Sequence, residues 1–233
     1  EAHVSALIAS HFAPLLEKNP YIDFLCTFKR NKKDKKSENN RIRNYLREEK
    51  FDVGILLTGS FSSAWQFYRG HVKQRIGYPS HMRGLLLTDS ITPEEEHQVR
   101  AYDRLLTPLG IKSESVPEIF LSKEEIDAAK AKFLLPSKYL IGINPGAAYG
   151  SAKCWPVEYF KKLTRQILED RKDVELVFFG DQTTKSLVTE ITNSFPERVH
   201  NLAAETSLRE LFALFASMNL IISNDSGPMH VAA

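Results

Sequence analysis

The fold of this chain is decided by residues 139–168, which read YLIGINPGAAYGSAKCWPVEYFKKLTRQIL. The apolar run Tyr139–Ile143 predicts a buried strand, Pro145-Gly146 ends it, and Pro156 is suited to be the first residue of a helix over Val157–Leu168. The first N–H groups of a helix have no intrahelical partner, and Lys153 adds a positive charge beside them. The loop between strand and helix is therefore predicted to bind an anion such as phosphate.

A second loop of the same kind lies near the C-terminus. Leu220–Ser223 predicts another buried strand, and it runs into residues 224–230, which read NDSGPMH and precede a helix signal. In open parallel sheets, ligands bind at the carboxyl ends of the strands. The two loops are therefore expected to contribute to the same site.

Strand and helix signals alternate along the whole chain, which predicts an α/β fold with parallel sheets covered by helices. Turn-forming residues over 113–117 separate two halves, so we expect an N-terminal Rossmann-like domain (1–116) and a C-terminal one (117–233) facing a cleft. Capping boxes at Ser122–Glu125 and Ser207–Glu210 each predict a helix start. The predicted elements are strands at 4–9, 24–28, 53–57, 74–77, 139–143, 175–179, 199–202 and 220–223, and helices at 40–49 and 94–106.

Composition excludes several classes of protein. With 233 residues, 42% hydrophobic and 26% charged, the chain can bury a core and is not expected to be disordered. The longest uncharged apolar stretch, residues 211–224, is too short for a membrane span, and the start does not resemble a signal peptide. Cys26 and Cys154 lie in different halves, which argues against a disulfide framework and favours a reducing, cytoplasmic setting.

Positive charge is concentrated in the N-terminal half. Residues 1–116 carry 18 Lys and Arg against 14 Asp and Glu, and much of this excess lies in Lys29–Lys36. The segment is either a solvated surface loop or a patch that attracts anionic lipid headgroups. Nucleic acid is not an expected partner, because no recognition motif accompanies the basic run.

The two loops together, PGAxxGxAKxWP followed by NDSGPMH, resemble the donor site of glycosyltransferase family 9, the ADP-heptose:lipopolysaccharide heptosyltransferases, most closely its heptosyltransferase II members. The resemblance implies a two-domain GT-B fold and inverting transfer of heptose from ADP-heptose to Kdo-lipid A or heptosyl-Kdo-lipid A. It also implies peripheral contact with the inner face of the cytoplasmic membrane. By this resemblance, the chain starts after the first β-α unit of the N-terminal domain and stops before the end of the C-terminal domain.

The resemblance also assigns roles to residues. Lys153 matches the phosphate-binding lysine, Asp225 lies on the side of the donor sugar, and the remaining donor-binding positions are Ser226, Gly227, His230, Gly146, Ala147 and Tyr149. Acceptor-side positions are Ser62, Ser63 and His97. Simpler interpretations stay open: Asp225 as a helix N-cap, His230 as an interior histidine, and His97 as a residue packed on the helix that also carries Val99.

No residue is named as the catalytic base, because the resemblance places it in a glycine-aspartate turn upstream of Glu1. No cofactor or metal is expected either, since D-x-D, Walker, HExxH and paired CxxC motifs do not occur in the sequence. The loop Gly180–Thr183, on the expected ribose-adenine side, lacks the glutamate frequent in the family. Two alternatives therefore remain, namely transfer of another nucleotide sugar and a non-catalytic nucleotide-sugar-binding protein.

Overall fold

A computed structural model of the chain describes residues 2–29, 34–113, 116–136, 139–147 and 153–233. The chain divides into two compact units, one formed by Glu1–Ala13 with Pro20–Glu118 and the other by Pro14–Asn19 with Ile119–Ala233. The strand pairs of the described residues are parallel, which confirms the α/β class with parallel sheets. Within these residues, no helix combines the length and apolar character needed to cross a bilayer.

The described strands of the first unit form two small parallel sheets. In one, β1 (Ser5–Ala9) pairs with β2 (Phe24–Phe28). In the other, β3 (Val53–Leu56), β4 (Gln74–Gly77) and β5 (Asp89–Ser90) lie side by side in that order. The α-helices of this unit are α1 (Lys35–Glu49), α2 (Phe61–Arg69) and α3 (Gln98–Arg104), and 3-10 helices cover Ser10–Leu15, His81–Leu86 and Thr107–Leu109.

The second unit has a four-stranded parallel sheet in the order β8-β7-β6-β9. Its strands are β6 (Tyr139–Asn144), β7 (Val174–Phe178), β8 (Val199–Asn201) and β9 (Leu220–Ser223). Its helices are α4 (Lys123–Lys132), α5 (Val157–Asp170), α6 (Lys185–Thr192), α7 (Leu208–Phe215) and α8 (Gly227–Ala232).

Both faces of this second sheet are covered, which explains why β6 and β7 carry apolar residues on both faces. On one face, Ile143 of β6 packs in a cluster with Phe160 of α5 and Ile191 of α6. On the other face, Leu140 of β6 packs in a cluster with Leu214 of α7. The sheet is thereby fixed from both sides, and its carboxyl edge is a rigid support for the loops that follow.

Strand β6 lies at the point where the order of the strands across the sheet reverses. β7 and β8 lie on one side of β6, whereas β9 lies on the other, with Asn144 in register with Ser223. Ligands of doubly wound sheets bind at such a switch point, outside the carboxyl ends of the two strands. The loops after β6 and β9, singled out from the sequence, are therefore neighbours at this point.

The starts of two helices lie several residues from the predicted ones. Helix α1 begins at Lys35 rather than Asn40, so the end of the basic segment is helical and not a surface loop; Arg30 to Lys33 lie outside the described residues. Helix α3 begins at Gln98 rather than Glu94. His97, with an extended backbone, caps this helix, and its Nδ1 accepts from the N–H of Val99 at 3.4 Å; the Arg104 guanidinium bonds the Glu94 and Glu96 carboxylates of the preceding segment at 2.7 and 2.9 Å.

Candidate functional site

Asn144 joins the two loops at the switch point. It is the last residue of β6 and is buried, with 5% of its surface exposed. Its side-chain Nδ2 donates to the Oγ atoms of Ser223 at 3.3 Å and Ser226 at 3.2 Å, and to the carbonyl oxygen of Gly146 at 3.4 Å. A buried amide of this kind costs free energy unless its hydrogens are bonded, so these contacts hold the loops in place.

Asn224 makes a second connection between the same loops. Its Nδ2 donates to the carbonyl oxygen of Pro145 at 2.6 Å, and its Oδ1 accepts from the N–H of Trp155 at 3.3 Å. The Trp155 ring meets Tyr159 and Phe160 of α5 edge-on, with centroids 5.7 and 5.5 Å away. Neither Asn144 nor Asn224 was assigned a role from the sequence, although an amide placed directly after a buried strand is a usable signal.

Lys153 and Asp225 meet between the loops, with Nζ and Oδ2 2.6 Å apart. About half of each side chain is exposed. The hydrogen bond and the charge of Lys153 lower the pKa of Asp225, and the nearby His230 acts in the same direction. Exposed ion pairs contribute little to stability, so an anion that reaches Lys153 can replace the Asp225 carboxylate at small cost.

The other donor-side positions lie around this pair. Gly146 is buried and Ala147 half-buried in the first loop, whereas Gly227 opens α8. Ser226, whose backbone is extended, occupies the N-cap position of α8, so the interpretation of Asp225 as the N-cap is wrong; the Asp225 carboxylate accepts from Lys153 instead. The interpretation of His230 as an interior residue is also wrong, since its side chain is exposed in the last turn of this short helix. Tyr149 lies outside the described residues.

The acceptor-side positions fall at two helix starts of the first unit. Ser62 and Ser63 lie in the first turn of α2, where the Oγ of Ser60 accepts from the N–H of Ser63 at 3.2 Å. His97 is the N-cap of α3, and its Nδ1 accepts from the N–H of Val99 at 3.4 Å. The interpretation of His97 as a residue packed within the helix is therefore wrong.

The loop after β7 packs against the first loop. The Asp181 carboxylate accepts from the hydroxyl of Thr183 at 2.7 Å and from the N–H of Thr184 at 3.0 Å, and these bonds hold its pKa below the ordinary range. A Cβ atom added to Gly146 would lie 2.7 Å from the Thr184 methyl group.

In the part of the chain that the structure describes, no group of three or more His, Cys, Asp or Glu side chains could hold a metal ion.

The contrast between Gly146 and Gly227 leads to a first prediction. Gly146→Ala should lower the free energy of unfolding by about 1–3 kcal/mol, because the new methyl group overlaps the β-branched Thr184. Gly227→Ala should change it by less than about 0.5 kcal/mol, because a Cβ there meets nothing within 4 Å. Urea unfolding of both variants measures the difference, and equal midpoints would contradict the close approach at Gly146.

Comparison with known proteins places this geometry in a family. The model of glycosyltransferase family 9 (heptosyltransferase) matches residues 40–233, which include both loops. Lipopolysaccharide heptosyltransferase 2 of Salmonella typhimurium is 30% identical over 212 residues, which cover 84% of this chain and 60% of the relative. Lipooligosaccharide heptosyltransferase 2 of Campylobacter jejuni is 32% identical over 199 residues, covering 81% and 56%. The chain thus spans somewhat less than two thirds of the length of these relatives.

A solved structure shares the fold over the whole chain. The structure of Escherichia coli ADP-heptose lipopolysaccharide heptosyltransferase II superposes with a TM-score of 0.83 at 26% identity, covering 100% of this chain and 72% of that one. The family match extends over far more than half of the chain and contains the Lys153 and Asp225 loops. The chain therefore belongs to glycosyltransferase family 9, the heptosyltransferase family.

Proposed function

We propose that the protein is an inverting glycosyltransferase that transfers heptose from ADP-heptose to the lipopolysaccharide inner core. The observation that carries the proposal is the pair of loops at the switch point, where Lys153 and Asp225 lie 2.6 Å apart. The family match through both loops and the names of the relatives support the same activity.

In the proposed mechanism, Lys153 binds the departing diphosphate. Negative charge develops on that group as its bond to the sugar breaks, and a fixed ammonium with nearby backbone N–H groups stabilises it. Asp225, once released from Lys153, offers acceptor oxygens to the hydroxyls of the sugar. Ser226, Gly227 and His230 complete this side, and the loop with Gly146, Ala147 and Tyr149 is assigned to the diphosphate. No metal or cofactor takes part in the proposal.

The acceptor is assigned to the first unit, near Ser62, Ser63 and His97. We propose the GT-B arrangement, in which an N-terminal acceptor domain (1–116) and a C-terminal donor domain (117–233) face a cleft. A general base deprotonates a hydroxyl of Kdo-lipid A or heptosyl-Kdo-lipid A. Attack opposite the leaving nucleotide inverts the configuration at the sugar carbon.

A transfer assay with the complete gene product tests this proposal. ADP-heptose, UDP-sugars and GDP-sugars are each offered with the two Kdo-lipid acceptors, and the product is analysed for its anomeric configuration. We expect transfer from ADP-heptose with inversion. Transfer from another donor alone would favour the alternative of a different nucleotide sugar, and nucleotide binding without any transfer would favour a non-catalytic binding protein.

The cytoplasmic location at the inner face of the membrane is also a proposal, and it leads to a second prediction. Basic side chains near a surface contribute about 1 kcal/mol each to binding of anionic membranes. Replacing Lys32, Lys33, Lys35 and Lys36 by serine should therefore weaken binding to phosphatidylglycerol vesicles in a salt-dependent way. Vesicle sedimentation at low and high salt measures this effect. Unchanged binding at low salt would mean that the segment is only a solvated surface.

A further inference from the structure

A fully buried arginine lies beneath the start of α2. Arg83, in the 3-10 helix His81–Leu86, has 0% of its surface exposed. Its Nη1 donates to the carbonyl oxygen of Thr58, in the loop that leads into α2. Its Nε and Nη2 are buried without a hydrogen-bond partner among the described residues.

The guanidinium lies at the carboxyl edge of the second sheet of the first unit. Thr58 follows the end of β3, and Gly77 is the last residue of β4. A Cβ atom at Gly77 would lie 2.6 Å from Nη2 of Arg83, so the absence of a side chain there makes room for the charge. Ligands of parallel sheets bind at this edge, so Arg83 lies where its charge can act on a bound ligand.

The charge of Arg83 has no counterion in the part of the chain that the structure describes, where none of the ion pairs involves it. Burial lowers the pKa of the guanidinium, yet arginine stays protonated in proteins. An unpaired buried charge is costly, and an anion nearby would offset that cost. The N-terminus of α2 adds further positive potential at the same place.

We infer that the start of α2, residues Thr58–Ser63, binds an oxyanion of the acceptor, a carboxylate or a phosphate, over the buried charge of Arg83. The direct donors are the N–H groups of Phe61 and Ser62 and the hydroxyl of Ser62, because the N–H of Ser63 donates to Ser60 and the Ser60 hydroxyl donates to Ser63. The nitrogens of Arg83 are covered by protein, so Arg83 is a positioning residue that acts through its field and its bond to Thr58. That the anion belongs to a sugar acceptor rests on the proposed function.

The substitution Ser62→Asp tests the site at an exposed position, where only the contact between the Ser60 and Ser62 hydroxyls is lost. A carboxylate in the first turn of a helix interacts favourably with the N-terminus, so the melting temperature should stay the same or rise. The same carboxylate should repel an incoming anion and raise the acceptor KM roughly 10- to 100-fold, with the donor KM unchanged. Ser186→Asp is the matched control, because Ser186 is the exposed second residue of α6 in the other unit. Arg83→Met should raise the acceptor KM in the same direction, provided that it folds.

A direct titration separates this inference from the proposed function. Inorganic phosphate and a free sugar acid are titrated calorimetrically into variants that carry Lys153→Ala, so that the donor loops do not contribute. Weaker binding with Ser62→Asp than with Ser186→Asp supports the site even where the complete protein transfers no heptose. The ligand that binds with the lower Kd shows whether the site prefers a phosphate or a carboxylate. Equal binding of the anion by both variants would overturn the inference. Heptose transfer by Ser62→Asp with an unchanged acceptor KM would also overturn it. Both outcomes leave the proposed function in place.

Discussion

Replacing Lys153 by alanine in the complete protein should reduce turnover by roughly 100- to 1000-fold, the usual loss when one donor to a developing anion is removed. In the proposed function, Lys153 binds the diphosphate, and its partner Asp225 is an exposed carboxylate that this anion would replace. Because Lys153 is itself exposed, the fold should be preserved. Steady-state kinetics with ADP-heptose and circular dichroism melting measure the two effects.

Lys162→Ala provides the control, since Lys162 is an exposed lysine on α5, the helix that follows the same loop. It should leave turnover and melting temperature unchanged. Asp225→Asn separates two roles of the carboxylate: a role only as counterion of Lys153 predicts equal or tighter binding of ADP, whereas a role in binding the sugar predicts slower transfer. Normal turnover by Lys153→Ala would remove Lys153 from the mechanism.

Arg209→Ala should lower the free energy of unfolding by about 2–3 kcal/mol, because the hydrogen bonds of a largely buried guanidinium are lost while Lys18 still pairs with the Glu125 carboxylate at 3.0 Å. Arg209 has 14% of its side chain exposed. Its guanidinium donates to the Glu125 carboxylate at 2.8 and 3.2 Å, to the carbonyl oxygens of Pro14 and Glu17 at 3.1 Å each, and to that of Phe120. One side chain thus joins the segment Pro14–Asn19 and the start of α4 to α7.

The same ion pair predicts a dependence on pH. The hydrogen bond from Arg209 holds the pKa of Glu125 well below its ordinary value of 4.5. A carboxyl group whose pKa is lowered by folding stabilises the native state above its unfolded pKa and loses that contribution as the pH falls toward the folded value. The difference in stability between the wild type and Arg209→Ala should therefore be largest at neutral pH and shrink progressively below pH 4.5.

Urea unfolding at neutral and acidic pH measures both effects. Arg165→Ala is a suitable control, because Arg165 is an exposed arginine within α5. It should change stability by less than about 0.5 kcal/mol at either pH. An Arg209→Ala variant as stable as this control would show that the five hydrogen bonds of Arg209 make no net contribution.

Local signals predicted most elements of the fold. The capping boxes at Ser122 and Ser207 are both present, because such a box depends only on residues three positions apart. The strand Leu220–Ser223 is found where the apolar run predicts it. The predicted start of α3 is wrong, because His97 caps the helix and periodicity does not reveal which residue is the cap.

The sequence by itself determined the alternation of strands and helices, the positions of the two loops that follow β6 and β9, and the membership in glycosyltransferase family 9. Only the tertiary structure decided that β6 and β9 are neighbours, which brings Lys153 within 2.6 Å of Asp225, 72 positions further along the chain. It also decided that Asn144 bonds Ser223, 79 positions away, and that Arg83 is buried without a counterion among the described residues. The physical reason is that periodicity and capping act over a few residues, whereas strand order, burial and the pairing of charges depend on contacts between distant segments.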